Sequence, residues 1–201
     1  DREAIEQQRM ALELDPLSPV INTSLGTSLI MARLFEAGRA QAERALSVSD
    51  EALPHANLLV WGPQLGLTTA EIEDHAVAFV TAQGARNPEG ARIIGTAVGS
   101  DGSDAQLVAA ALDELGVLIA DSVLSVLQIA ALYTILGQPE VAMDWMESPQ
   151  AEGSLSLGLL GVDPALDPLR GEPRMQRLMV DLGLPNGYDP AADTYEPGSA
   201  R

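Results

Sequence analysis

The chain has no cysteine, no lysine, two histidines and 3% aromatic residues among 201. Without cysteine there is no disulfide framework, no thiolate zinc site and no cysteine nucleophile. Without lysine there is no phosphate-cradling GxxxxGK[ST] loop, and no GxGxxG opens a helix after a strand. Basic residues are few: 11 arginines against 29 acidic residues give a formal charge of −18. Such a surface repels phosphates, which argues against direct nucleic acid binding by this region. What the chain does have is apolar bulk, 46% of its residues being hydrophobic and few of them aromatic, so the core must come from Ala, Leu, Val and Ile. The length fits one mid-sized domain or a short array of repeats. Asp1 stands first rather than Met and no basic-then-apolar leader follows, so the chain is read as trimmed or as part of a longer protein.

One long apolar run has to be tested as a membrane span. Val117 to Leu136 carries a single charge, Asp121. Ser122, Ser125, Gln128 and Thr134 recur through it, and no arginine lies between Arg92 and Arg170 to flank it. A buried helix in a soluble array is the preferred reading, with no membrane partner.

The organising signal is internal similarity. Residues 2–16 (REAIEQQRMALELDP) and 36–50 (EAGRAQAERALSVSD) align at a shift of 34: Gln7 on Gln41, Ala11 on Ala45, Leu12 on Leu46. Between them Asn22, Leu25, Gly26 and Leu29 stand at the spacing W-x2-L-G-x2-Y, followed by small residues at Gly38, Ala42 and Ala45. Small residues let two antiparallel helices approach closely, and Ile21, Leu25 and Leu29 form a stripe to bury. Val126, Ile129, Ala130 and Tyr133 repeat the first-helix pattern, and Ala142 and Met146 the second. Leu25 to Ile129 is 104 residues, three periods of 34 plus two. The chain thus resembles a tetratricopeptide (TPR) repeat protein over most of its length.

That resemblance implies an all-α fold: a TPR-like right-handed superhelix of antiparallel helix pairs with a C-terminal capping helix. Residues 1–185 form the array. Within it, 1–16 is the second helix of a unit whose first helix is expected upstream, and 17–50 is the best-matching repeat. Residues 51–116 are degenerate helix pairs, 117–149 a late repeat, 150–185 a lid, and 186–201 an extended or disordered tail. The repeat-packing residues are Leu25, Gly26, Gly38, Ala42, Ala45, Ile129, Ala130, Tyr133 and Ala142.

Local signals fill in the middle. Thr68 or Thr69 caps a helix with Glu71 and Glu73 in its first turn, ended by Gly84. Asn87-Pro88 starts the next, which runs to the Gly99-Ser100-Asp101-Gly102 break. Ser103 or Asp104 caps a third, closed by Gly116, and Asp121 or Ser122 starts a fourth. Gly137-Gln138-Pro139 is the turn before the last full helix. No stretch alternates with period two, so no sheet is expected.

Residues 162–185 place an acidic residue before proline three times: Asp163-Pro164, Asp167-Pro168 and Glu172-Pro173. The first two are expected to open short turns, the third a helix carrying Met175, Leu178, Met179 and Leu182. With Leu166, Leu169, Arg170, Arg174, Gly183, Leu184 and Pro185, the passage resembles the close of TPR regions at the C-terminal end of bacterial multidomain regulators. Those regulators pair the array with a winged-helix, adenylate cyclase or kinase domain. Physically the passage is a lid over the apolar face that an array exposes at its end.

Candidate chemistry is thin. His75 and Glu71 are i, i+4 on one helix face, too few ligands for zinc, and a solvated charged face is preferred. Asp101-Gly-Ser-Asp104 lacks the spacing of an EF-hand loop and reads as a capping loop. The hydroxyl-rich Asn22–Ser28 run sits at repeat-core spacing rather than on a nucleophile elbow. No metal, no cofactor and no catalytic residue is expected. Trp61, Trp145 and Tyr133 read as packing residues, with an exposed anchor as the alternative for Trp61.

By resemblance, the first helix of each unit lines a concave face. There the partner-binding candidates are Val20, Thr23, Thr27, Ile30, Met31, Leu127, Ala131, Thr134 and Ile135. None is basic, so gripping a partner's C-terminal carboxylate is disfavoured. The groove suits an apolar segment, or the chain's own tail or lid. The acidic stretch from Gly99 to Asp167 suits a basic partner surface.

These readings converge on a non-enzymatic protein–protein interaction scaffold within a larger bacterial regulatory or signalling protein, cytoplasmic, or periplasmic if a membrane segment lies upstream. The alternatives are a small-ligand sensor module, an enzyme in its own right, and an array that mainly self-associates as a homodimer.

Overall fold

A computed structural model describes residues 2–84, 87–100, 102–120, 124–151 and 154–184. Among the described residues there is no strand. The helices are α1 (Arg2–Leu14), α2 (Pro19–Met31), α3 (Phe35–Val48), α4 (Ala52–Trp61), α5 (Thr69–Ala82), α6 (Pro88–Val98), α7 (Ala105–Ala120), α8 (Val126–Ile135), α9 (Pro139–Met146) and α10 (Pro173–Asp181). Three 3-10 stretches, Pro149–Ala151, Leu155–Leu159 and Pro164–Leu169, precede α10.

Helix ends follow the capping chemistry of the sequence. Thr68 and Glu71 form a reciprocal capping box at α5, and Asn87 accepts from the Gly90 amide at α6. Asp104 Oδ1 accepts from the Gln106 and Leu107 amides at α7. Two expected boundaries differ. Gly116 does not close a helix: α7 continues through it to Ala120, because its flanking residues have strong helix propensity and a single glycine costs only about 1 kcal/mol. Ser125, with Gln128 in a capping box, starts α8, while Asp121 and Ser122 lie outside the described residues, as does Asp101. The long apolar run is therefore divided between α7 and α8, and no helix among the described residues is long and apolar enough to cross a membrane.

Helices that are neighbours in sequence pack together: α1 on α2, α2 on α3, α4 on α5, α5 on α6, α6 on α7, and α8 on α9. The most extensive pairs are α2/α3 and α5/α6, and both are seamed by glycine. A Cβ on Gly38 would sit 2.6 Å from Ile30 Cγ1, and one on Gly26 would meet the Ala42 amide nitrogen at 3.4 Å. A Cβ on Gly95 would lie 2.7 Å from Glu73 Cα. The close, glycine-seamed crossing of α2 and α3 thus recurs between α5 and α6.

Asn22 occupies the position where the repeat pattern has tryptophan. It is fully buried, donates to the carbonyls of Pro16 and Ser18, and accepts from Gln41 Nε2 at 2.7 Å. One amide thereby ties the turn before α2 to both α2 and α3, in place of ring packing.

One continuous core runs from α2 to α10. A small separate cluster of Ile5, Leu25 and Leu29 holds α1, with Leu12, Ala32 and Leu34 around it. The C-terminal passage does not extend the row of hairpins. Its 3-10 stretch Pro164–Leu169 packs on α8 and α4 instead. The two expected turns at Asp163 and Asp167 merge into this one stretch, with Pro168 inside it. Helix α10 buries Met175 and Met179, as its pattern requires, but leaves Leu182 42% exposed. Pro185 and the tail 186–201 lie outside the described residues.

Candidate functional site: a cavity between α2, α4, α8 and the C-terminal segment

Helix α4 is the hub. From Pro54 to Trp61 every residue is buried, and α4 touches α2, α3, α5, α6, α8 and the Pro164–Leu169 stretch. Trp61, at its last turn, is 5% exposed and donates Nε1–H to Asp163 Oδ1 at 2.9 Å. This supports the packing reading of Trp61 over the exposed anchor. Asp163 also caps the 3-10 stretch, its Oδ1 accepting from the Ala165 amide at 2.9 Å. The carboxyl is 2% exposed. Burial pushes its pKa above the ordinary carboxylate range, against the bonds from Trp61 and Ala165 and the charge of Arg33.

Arg33 supplies the second fastening. Nη1 donates to the Val162 carbonyl and Nη2 to Asp167 Oδ1, both at 2.7 Å. Its backbone φ is +62°, left-handed, and no other non-glycine among the described residues has a positive φ. The site is the residue after the C-cap of α2, where glycine is usual. Backbone strain is thus held at a residue whose side chain fastens the lid. Arg170 adds bonds to Asp167 and to the Gly161 and Asp163 carbonyls. Arg174 of α10 clips onto Glu140, Asp144 and Glu147.

Where α2, α4, α8 and the Leu155–Leu159 stretch meet, a cavity of about 200 Å³ remains. Val60, Trp61 and Leu127 wall it, and Thr27, Asn57 and Asp163 face it. Asn57 Nδ2 donates to Thr27 Oγ1 at 3.1 Å.

Of the nine residues placed on the concave face, the structure brings Thr27 and Leu127 to this cavity. Thr23, Ile30, Met31, Leu127, Ala131 and Thr134 are buried, and Thr27 and Ile135 are half-buried. Only Val20, 71% exposed, presents most of its side chain to solvent. Nearby in sequence, Met10 (58%), Leu14 (89%) and Leu17 (71%), on α1 and the turn into α2, are exposed as well. The repeat-packing residues are buried except Tyr133, which is half-buried.

The histidines meet, which spacing in the sequence did not signal. His55 Nδ1 of α4 lies 3.0 Å from His75 Nδ1 of α5, and His55 Nε2 lies 2.7 Å from Asp50 Oδ1. One Nδ1 must donate and the other accept. His75 is half-buried rather than on a solvated face. Burial and then the facing His55 hold its pKa below the ordinary imidazole range, against the pull of Glu71, Asp74 and Glu43. Among the described residues no group of three or more potential metal ligands stands together.

Neither Asp163–Trp61 nor Arg33–Asp167 could be read from local patterning, since they join residues 102 and 134 apart. The one available signal was that the lid had to cover something. No family model, no curated protein and no solved structure matches this chain.

Proposed function

We propose that this region is a non-enzymatic protein-interaction scaffold, part of a larger regulatory or signalling protein. In this reading it is a TPR-like right-handed superhelix with α10 as its C-terminal cap. The carrying observation is a contrast in exposure. Eight of the nine candidate face residues are buried or half-buried, whereas the ninth, Val20, stands open to solvent, as do Met10, Leu14 and Leu17, its neighbours in sequence. Large apolar side chains held out by two packed helices form a preorganised surface for an apolar partner segment. The surrounding net charge of −18 favours a partner with a basic rim, chiefly by speeding encounter. Residues with the chemistry of transfer or hydrolysis do not converge among the described residues, apart from the histidine pair.

The test places a photo-crosslinking residue at Leu14 and, separately, at Leu182 as an exposed apolar control at the other end. Cross-links to one discrete partner from Leu14 alone, lost on Leu17→Ser, support the reading. Equal cross-linking from both positions overturns it. Sedimentation over a concentration series separates a foreign partner from self-association.

A further inference from the structure

The cavity between α2, α4 and α8 has features that packing alone does not require. It is walled by apolar side chains yet, among the described residues, has one buried acid at its lining, Asp163, and no basic residue. Both protein bonds to that acid end on Oδ1, from Trp61 Nε1 and the Ala165 amide, so Oδ2 remains to accept from another donor. Asn57 is 8% exposed and uses Nδ2 on Thr27, leaving its carbonyl oxygen as a second acceptor. Arg33, the cation closest in charge effect, has donors committed to the Val162 carbonyl and Asp167.

We propose that this cavity binds a small monocyclic aromatic amine, its ammonium group on Asp163 Oδ2 and Asn57 Oδ1 and its ring against Val60, Trp61 and Leu127. Size sets the ligand. An apolar cavity of about 150 Å³ takes one benzene, so about 200 Å³ takes a ring with a short arm. Sign sets the head group: the lining offers acceptors and a carboxylate, and a charge of −18 draws cations toward the chain. Position sets the consequence. The cavity is bounded by α4, α8 and the Leu155–Leu159 stretch together, so a ligand there bridges the array and its lid. Occupancy would hold the lid down, since a ligand that binds only the closed form stabilises it by mass action.

The inference is independent of the partner surface at Leu14, whose cross-linking a failed titration would leave untouched. The probes are 2-phenylethylamine and its neutral isostere 2-phenylethanol, titrated into the full chain by calorimetry with melting curves alongside. The amine is expected to bind at one site and raise the melting temperature, and the alcohol to bind about tenfold or more weakly, as a lost charge-assisted bond implies. Asp163→Asn keeps the acceptor for Trp61 and is expected to reduce the difference between amine and alcohol to nearly nothing. Leu159→Trp, a half-exposed cavity residue filled from the rim, is expected to abolish binding of both. It serves if Asp163→Asn fails to fold. Equal affinity for amine and alcohol, amine binding unchanged in either variant, or no binding at all overturns the proposal.

Discussion

The C-terminal segment and the N-terminal helix are packed in opposite ways. At the C-terminal end the 154–184 segment lies across α4 and α8, buries Leu160, Leu166 and Leu169, and is fastened through Asp163, Arg33 and Arg170. At the N-terminal end α1 rests on the small Ile5–Leu25–Leu29 cluster and shows Met10 and Leu14 to water. Both regions carry large apolar side chains. One set is covered from within the chain, the other is open. The difference leaves the large exposed side chains Met10, Leu14, Leu17 and Val20 in α1 and the start of α2, outside the 154–184 segment.

The comparison breaks first at the core of each end. Leu166→Ala, at a fully buried lid position, should cost about 2–5 kcal/mol in denaturant melts. Leu14→Ala, 89% exposed, should stay within about 0.5 kcal/mol. Comparable losses at the two sites would mean the two regions are not packed differently.

Polar fastening comes next. Trp61→Phe leaves Asp163 without its indole donor and should cost about 1–3 kcal/mol. Asp163→Asn keeps the acceptor and removes a buried charge, so it should cost less. The sign of the pH dependence follows. With the folded-state pKa raised, the folded protein binds more protons than the unfolded one above the ordinary Asp range. Asp163 therefore draws stability down as pH rises through that window, and Asp163→Asn should flatten the slope.

A finer probe is the strained backbone at Arg33. Arg33→Ala and Arg33→Gly both lose the bonds to Val162 and Asp167, but only glycine relieves the left-handed φ. Glycine should therefore be the milder variant by about 1 kcal/mol in equilibrium unfolding. The smallest expected effect lies midway between the ends, at His75. Its lowered pKa means the folded state binds fewer protons just below pH 6.5, so stability falls as pH falls through that window. His75→Gln should remove that acid-side slope while leaving the Asp163 slope in place.

Much of the helical layout was legible because caps are local chemistry. Thr68–Glu71, Asn87-Pro88, Asp104 and Glu172-Pro173 each signal a helix start within four residues, and the small residues Gly26 and Ala42 signal the close crossing they make, whereas Gly38 faces Ile30 rather than Gly26. Gly116 misled because a lone glycine also fits inside a helix. The site was less legible. Asp163 carried a helix-start signal but nothing pointing to Trp61, and Arg33 shows no sequence mark of its left-handed backbone. The His55–His75 contact depends on how α4 leans on α5. Long-range pairing of that kind is set by packing, which leaves no periodic trace.

The central claim is that segment 154–184 is fastened onto α4 through the Trp61–Asp163 bond. In Trp145→Phe protein, Trp61 supplies the one indole N–H signal, so its hydrogen exchange can be followed by NMR. The account predicts slow exchange and a cross-peak to the Ala165 amide. Exchange at the rate of a free indole, unchanged by Asp163→Ala, would contradict it.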